Sequence, residues 1–474
     1  MFTYPMFYTS LTTSLAPTVH SHVTKFYCAR KLKKKGATVS DDPAQMTIAE
    51  AGTAIKAGNL KPSALIEACL ERTSLRDPEV MAWAFLGGDQ ARMAARLLDT
   101  WQSDNVLHGI PFGVKDIIDT ADMPTEHGTP IYNGHRPARD AACVSLLKEA
   151  GGVCFGKTVT TELAHFHPGK TRNPWALTHT PGGSSSGSAA AVAAGMVPFA
   201  LGTQTTGSVL RPASYCGVYG FKPSYGDVVR SGVFECATSF DTIGWFTRSV
   251  EDIEIVRRAL IRAPAAPLTP VELSKLRIGV VRGPEWKSAD EHTRKSVESA
   301  ADHLRTKAAS VEEFELPAGF DNIAVHHRMI AGYEFARAIT WERTSHPQKL
   351  SKKLVEGRCE DGMQCSYEVY ANAQAELLSL RSAMQQMMQN YDVLLTAAAP
   401  GEAWEGLQAT GDPAFNTAWT ALHMPAVSVP AFTGASELPV GLQLIGRFRH
   451  DDALLAATAA IGTELDVSTV GVKD

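Results

Sequence analysis

Apolar and polar positions along the chain follow two periods. Leu65, Ile66, Cys69 and Leu70 recur at helical spacing after Pro62-Ser63, which predicts an amphipathic helix through Arg72. Upstream, Thr47-Ile48-Ala49-Glu50 has the form of a capping box ahead of another helix. Helical patterns return at 90–100 and at 141–150, the latter stopped by Gly151-Gly152. Between and beyond them stand short apolar runs that read as strands: Val153–Phe155, Arg277–Val281, Val393–Leu395 and Ala426–Val429. Strands interleaved with helices predict an α/β layer fold. Residues 285–390 are helix-rich and charged and carry no readable motif. They are expected to belong to one large domain, as a cap over its site.

Composition changes this picture at one end only. The 474 residues are 44% hydrophobic and 20% charged, which excludes wholesale disorder and a fibrous repeat. The formal net charge is −5, so there is no basic excess for nucleic acid, and no charge-free apolar run is long enough to span a bilayer. Eight scattered cysteines contain no C-x-x-C pair; neither a zinc module nor a disulfide scaffold is expected, and a reducing compartment is the default. Residues 1–40, however, hold no acid and six bases, Lys25, Arg30, Lys31, Lys33, Lys34 and Lys35. They account for +6, so the other 434 residues carry −11. Residues 1–45 therefore read as a disordered or targeting extension, with 46–474 as the folded domain. The cytoplasm is the expected compartment, with mitochondrial or other organelle targeting by residues 1–40 as the alternative.

The candidate chemistry lies in three segments. Pro181-Gly182-Gly183-Ser184-Ser185-Ser186-Gly187-Ser188 runs into an Ala-rich stretch at 189–195. Small residues let the backbone approach a ligand, and the first turn of a following helix aims free N–H groups at the loop. A phosphate loop is excluded because no Lys follows at the required spacing. A nucleophile elbow at Ser185 lacks the preceding strand. A second loop, Gly202-Thr203-Gln204-Thr205-Thr206-Gly207-Ser208, follows at once. Upstream, Gly109-Ile110-Pro111-Phe112-Gly113-Val114-Lys115-Asp116 ends an apolar strand-like run on a lysine. Burial would neutralise such a lysine and let it activate a serine. An ion pair of Lys115 with Asp116 or Asp119 is the plain alternative.

Together these segments resemble the amidase signature family. So do Cys216-Gly217-Val218-Tyr219-Gly220-Phe221-Lys222-Pro223, Ser239 to Gly244 with Thr247 to Asp252, and the run from Met424 to Gly446. The resemblance covers roughly 46–466. It implies a single large α/β domain with a mixed β-sheet core covered by helices. It implies amide hydrolysis by a Ser–Ser–Lys triad, with Ser208 as nucleophile, Ser184 as relay and Lys115 as base, and a cis peptide at Gly183–Ser184. It also implies an oxyanion hole from the backbone of Thr205, Thr206, Gly207 and Ser208, and no cofactor or metal. The expected partner is a small-molecule amide, with an ester or carbamate as relatives and a homodimer as the assembly.

Supporting positions are less determined. Ser186 is expected to cap the following helix, and Ser185 either to cap it or to support the triad. Arg211 and Asp241 are expected as a buried pair near the site. Trp419 is expected either on the substrate pocket wall or in the core. His165, His167 and His179 do not have metal-ligand spacing and read as polar core or rim residues. Gln204 stands where the family often has Asp, Thr206 where it often has Gly, and Leu210 where an Arg is common, with Arg211 one place on. These departures weigh against the glutamine-dependent amidotransferase component of the family, which remains the alternative function. A catalytically inactive binding protein is the third reading, and intact Lys115, Ser184 and Ser208 oppose it.

Overall fold

The computed structural model describes residues 42–100, 105 and 107–467. The extension read at 1–40 lies outside the described residues. Eleven strands form one mixed sheet. In chain order they are β1 (Trp83–Leu86), β2 (Pro111–Lys115), β3 (Val153–Thr158), β4 (Phe199–Gln204), β5 (Tyr219–Lys222) and β6 (Thr242–Thr247). They continue with β7 (Arg277–Val280), β8 (Ser310–Glu313), β9 (Val393–Ala397), β10 (Ala426–Thr433) and β11 (Pro439–Ile445). The spatial order is β1-β3-β2-β4-β6-β5-β10-β11-β9-β7-β8. β3, β2 and β4 are parallel, as are β9, β7 and β8; the other pairs are antiparallel. Among the described residues no helix is long and apolar enough to cross a membrane.

The central strands are buried along their whole length, which is why they read as short apolar runs without alternation. Helices cover them. The helix Ser186–Ala193 is buried on every side. Its Ala and small residues suit that place, because a helix without a polar face needs no water and small side chains bring it close to the sheet. Gly187 marks the closest approach. A Cβ there would meet Ala82 O and Val159 N at 2.3 Å each, and the Gly187 N–H donates to Val159 O.

The helix predicted from Pro62 runs further, to Val80, with Pro78 in its last turns. The capping box at Thr47 is formed, and the helix Ile48–Lys56 is held at its N-terminus by Asp252, whose two oxygens accept from Ile48 N and Ala49 N. The motif-free stretch from 285 to 390 supplies the helices Glu291–Arg305, Ile323–Ala338 and Tyr367–Met387, and also the edge strand β8.

The topology decides where chemistry can sit. Lys115 is the last residue of β2 and Gln204 the last of β4, with Val114 beside Leu201 in parallel register. Their C-terminal ends therefore share one edge of the sheet, where open α/β sheets place their ligands. Gly187→Ala is expected to cost about 2–3 kcal/mol by forcing backbone apart, read as a lower denaturant midpoint with an unchanged slope.

Candidate active site

Lys115 is fully buried. Its Nζ donates to Ser184 Oγ at 2.7 Å and to Thr203 Oγ1 at 2.8 Å. Among the described residues no carboxylate lies within ion-pairing distance of it. The neighbour Asp116 is committed elsewhere: it pairs with buried Lys157 from β3 at 3.2 Å and accepts from Glu126 N. Asp116 stands in the turn just beyond the end of β2, and its carboxylate is occupied there. Burial without a counter-ion pulls the Lys115 ammonium down to about 7 from its ordinary 10.5. The amine is thus neutral in an appreciable fraction of molecules near neutral pH.

The Gly183–Ser184 peptide is cis. Neither Ser185, at the N-cap position, nor Ser186, the first helical residue, caps the helix; the N-cap side chain makes no capping bond. Ser185 Oγ instead clips onto β4, donating to Thr203 O and accepting from Thr203 N at 3.2 Å each. It holds the residue that shares Lys115 with Ser184. Ser186 donates to Val159 O at 3.3 Å. Both hydroxyls are turned to the sheet because the helix is buried on all sides.

From Thr180 to Ser224 every residue is buried except Ser208, which is partly exposed. Ser208 and Ser184 line one narrow cavity together with Thr205 and Thr206. The peptide carbonyls of the Ser208 loop are all taken from behind. Thr205 O accepts from His327 Nε2 at 2.8 Å, Thr206 O from Thr420 Oγ1 at 2.8 Å, Gly207 O from Arg211 N at 3.1 Å, and Ser208 O from Ser185 N at 3.4 Å. In a trans peptide the carbonyl and the next N–H point opposite ways. Pinning these carbonyls therefore turns the N–H groups of Thr206, Gly207 and Ser208 to the other side. Gly207 fits because a Cβ would lie 2.5 Å from Asn416 Oδ1.

Two expected partners are not brought together. Asp241 holds Thr205 Oγ1 at 2.5 Å and accepts from Cys236 N and Ala237 N, and its burial raises its carboxyl to about 6. Arg211 lies elsewhere, donating from Nε to Thr410 O at 2.7 Å and from Nη2 to Gly183 O at 2.6 Å. The expected Arg211–Asp241 pair is thus corrected: Asp241 is held by a hydroxyl and two amides, and Arg211 by two carbonyls and the Thr410 hydroxyl. Of the two readings of Trp419, pocket wall or core, the structure has the core. It is fully buried in an apolar cluster with Leu210, Phe240 and Phe320, and does not line the cavity. The helix Ala414–Ala421 instead turns Thr420 to the loop, where it bonds Thr206 O, and sets Asn416 Oδ1 against Gly207.

The departures in the loop explain one another. Gln204 Oε1 accepts from Val209 N at 2.8 Å and Leu210 N at 3.0 Å, while its Nε2 donates to Thr420 Oγ1 at 2.9 Å. With apolar Leu210 beside it, an Asp at 204 would be a buried carboxylate with no cation from that position. A neutral amide makes the same bonds without that charge.

Sequence reasoning missed His327, Arg358 and Thr410. His327 stacks on Phe240 and donates from Nε2, and burial lowers its imidazole to about 4, so it stays neutral. Arg358 Nη2 donates to Thr206 Oγ1 at 3.2 Å from a π-helical turn, Val355–Cys359. Such turns often mark functional sites, but a five-residue turn leaves no period in the sequence. His165 lines the cavity, while no group of His, Cys, Asp or Glu among the described residues could hold a metal ion. The seven described cysteines are free thiols. A wider surface recess at Arg230–Glu235 holds no comparable set of amine and hydroxyls.

The model of the Amidase family matches residues 64–455. The chain belongs to the amidase family. The A subunit of glutamyl-tRNA(Gln) amidotransferase from Anaeromyxobacter sp. (strain K) is 32% identical over 485 residues, covering 90% of this chain and 98% of that protein. Its counterpart from Exiguobacterium sibiricum is 32% identical, covering 87% and 95%. These relatives run against the weight that the Gln204 and Leu210 departures placed on a stand-alone amidase. Among solved structures, one described as a crystal structure of amidase has a TM-score of 0.81 at 30% identity, covering 88% of this chain and 99% of that one. Native peptide amidase from Stenotrophomonas maltophilia has a TM-score of 0.77 at 28% identity, covering 90% and 98%. The single mixed sheet with its helices is therefore the amidase signature fold.

The amine of Lys115 in this amidase is expected to titrate near pH 7. Lysine-selective NMR across pH 5–10 reads it, and a titration near 10.5 would show that burial does not neutralise it.

Proposed function

We propose that this chain cleaves the C–N bond of a small carboxamide through an acyl-enzyme on Ser208. The observation that carries this reading is Lys115 Nζ at 2.7 Å from Ser184 Oγ, without a counter-ion, in a cavity shared with Ser208. Neutral Lys115 takes the Ser184 proton as Ser184 takes that of Ser208. Ser208 Oγ attacks the carbonyl carbon, and the developing oxyanion meets the N–H groups turned inward in the loop. Lys115, now protonated, returns the proton through Ser184 to the leaving nitrogen; the C–N bond breaks and the amine departs. Water then attacks the acyl ester, losing its proton along the same path, and frees Ser208. Esters and carbamates pass through the same tetrahedral geometry. No cofactor enters these steps.

A second reading is favoured by the relatives. Both amidotransferase proteins described above match over nearly their whole length. On that reading the amide is glutamine, the released ammonia is passed on within a complex, and partner chains are needed. The sequence similarity supports this reading more directly than it supports a free-standing hydrolase; the amidase structures support the chemistry that both share.

A panel of primary, aryl and aliphatic amides tests the common chemistry. Ser208→Ala is expected to lower kcat by about 10³-fold or more, and to abolish labelling by a serine-directed probe. Full activity in Ser208→Ala would exclude the nucleophile. Purification of co-expressed partner chains with glutamine-dependent ammonia release would select the second reading. With Lys115 required as the free amine, kcat/KM is expected to rise about tenfold per pH unit below 7 and to level above it. A profile that falls over this range would exclude Lys115 as the base.

A further inference from the structure

The stretch 285–390 carries no motif, yet one of its helices reaches the support of the Ser208 loop at two points. His327 and Glu334 stand seven residues apart on the helix Ile323–Ala338 and so share one face of it. Glu334 holds the segment that leads to Asp241: its carboxylate accepts from Ser239 N at 2.9 Å, from Ser239 Oγ at 2.5 Å and from Thr238 Oγ1 at 3.3 Å. His327 stacks on Phe240 of the same segment, with ring centroids 4.4 Å apart and planes inclined by 24°. It is 3% exposed, and its Nε2 donates to Thr205 O at 2.8 Å. A carbonyl oxygen can only accept, so the one N–H of the neutral ring is fixed on Nε2.

These contacts close a circuit. His327 rests on Phe240, Phe240 adjoins Asp241, Asp241 accepts from the Thr205 hydroxyl, and Thr205 O accepts from His327. Thr205 is thus held by its side chain from one element and by its carbonyl from another. The carbonyl of Thr205 and the N–H of Thr206 belong to one planar peptide and point opposite ways. Fixing the carbonyl therefore fixes the direction of the Thr206 N–H, in a residue that lines the cavity with Ser208. Histidine suits this place. A lysine would bring a charge into the interior, and a glutamine would lack the flat ring that packs on Phe240.

We propose that His327 is a positioning residue for amide cleavage: its Nε2–H, acting through Thr205 O, aims the Thr206 N–H at the oxyanion that forms when Ser208 attacks. This rests on the amide-cleaving reading of Ser208 and adds to it a residue outside every motif. His327 itself does not touch the reacting atoms. Its contribution arises only as charge develops on the carbonyl oxygen, so it belongs to kcat and not to substrate binding.

The experiment sets His327→Phe, which keeps a stacked ring and removes the donor, against His327→Gln, which keeps a donor. In His327→Phe, kcat for the best amide of the panel is expected to fall about ten- to a hundredfold, with KM changed by less than about twofold. Phenylboronic acid, whose adduct with Ser208 puts an oxygen where the oxyanion forms, is expected to bind more weakly by the same factor. His327→Gln is expected to recover most of both losses. If His327→Phe does not fold, His327→Met takes its place as the donor-free variant. An unchanged kcat in the folded donor-free variant would overturn the proposal, as would a rise in KM alone. Equal losses in the donor-free variant and in His327→Gln would overturn it too, since keeping the donor would then make no difference. Hydrogen exchange, which needs no turnover, separates this from failure of the catalytic reading. If the wild type cleaves no amide, faster exchange over residues 203–209 in the donor-free variant still supports the hold of His327 on the loop, and unchanged exchange overturns it.

Discussion

The site depends on an amine buried without a counter-ion. A charged lysine in a low-dielectric interior is costly, and the usual remedies are a carboxylate partner or loss of the proton. Here the nearest carboxylate in sequence, Asp116, lies in the turn after β2 and is taken by Lys157. Lys115 is left between the hydroxyls of Ser184 and Thr203. That arrangement explains why the surrounding elements look as they do. β4 must end beside β2 to supply Thr203. Ser185 must clip onto β4 to hold it there. The helix that follows must be buried on every side to bring Ser184 against the sheet edge.

Around this amine the protein directs its polar groups to the backbone of the Ser208 loop. Four carbonyls are taken by four donors from different parts of the chain: the helix Ile323–Ala338, the helix Ala414–Ala421, the turn after Ser208 and the Gly/Ser loop. None of these donors touches the proposed reacting atoms. They orient the amides of the loop, and a loop held from behind by several elements is fixed in place before any ligand arrives. Gln204 belongs to the same scheme. It serves the start of the helix Leu210–Cys216 and Thr420 at once, which a charged side chain could do only with a cation beside it.

Much of this was legible before the fold was known. The apolar run ending on Lys115, the Gly/Ser loop and the Gly202–Ser208 loop are local patterns, and the resemblance to the amidase signature family attaches to them directly. The helices at 48, 62, 88 and 142 were visible as periodicity or capping. What could not be read were contacts of long sequence separation. Arg211 and Asp241 looked like a pair because they are opposite charges near one loop, yet each found backbone partners closer at hand. Trp419 could be read as pocket wall or as core, and only the packing of its helix places it in an apolar cluster. His327 and Arg358 lie in a charged stretch with no motif, and only packing carries them over the loop.

The sequence by itself determined which residues are candidates for the chemistry, because amine, hydroxyl and glycine loops are local and their types limit what they can do. It also determined the class of fold, since strand and helix periods are set by neighbours a few positions apart. The tertiary structure alone decided which charges stay unpaired. Pairing depends on which faces meet between the sheet and its covering helices, and that is a property of contacts between residues far apart in the chain.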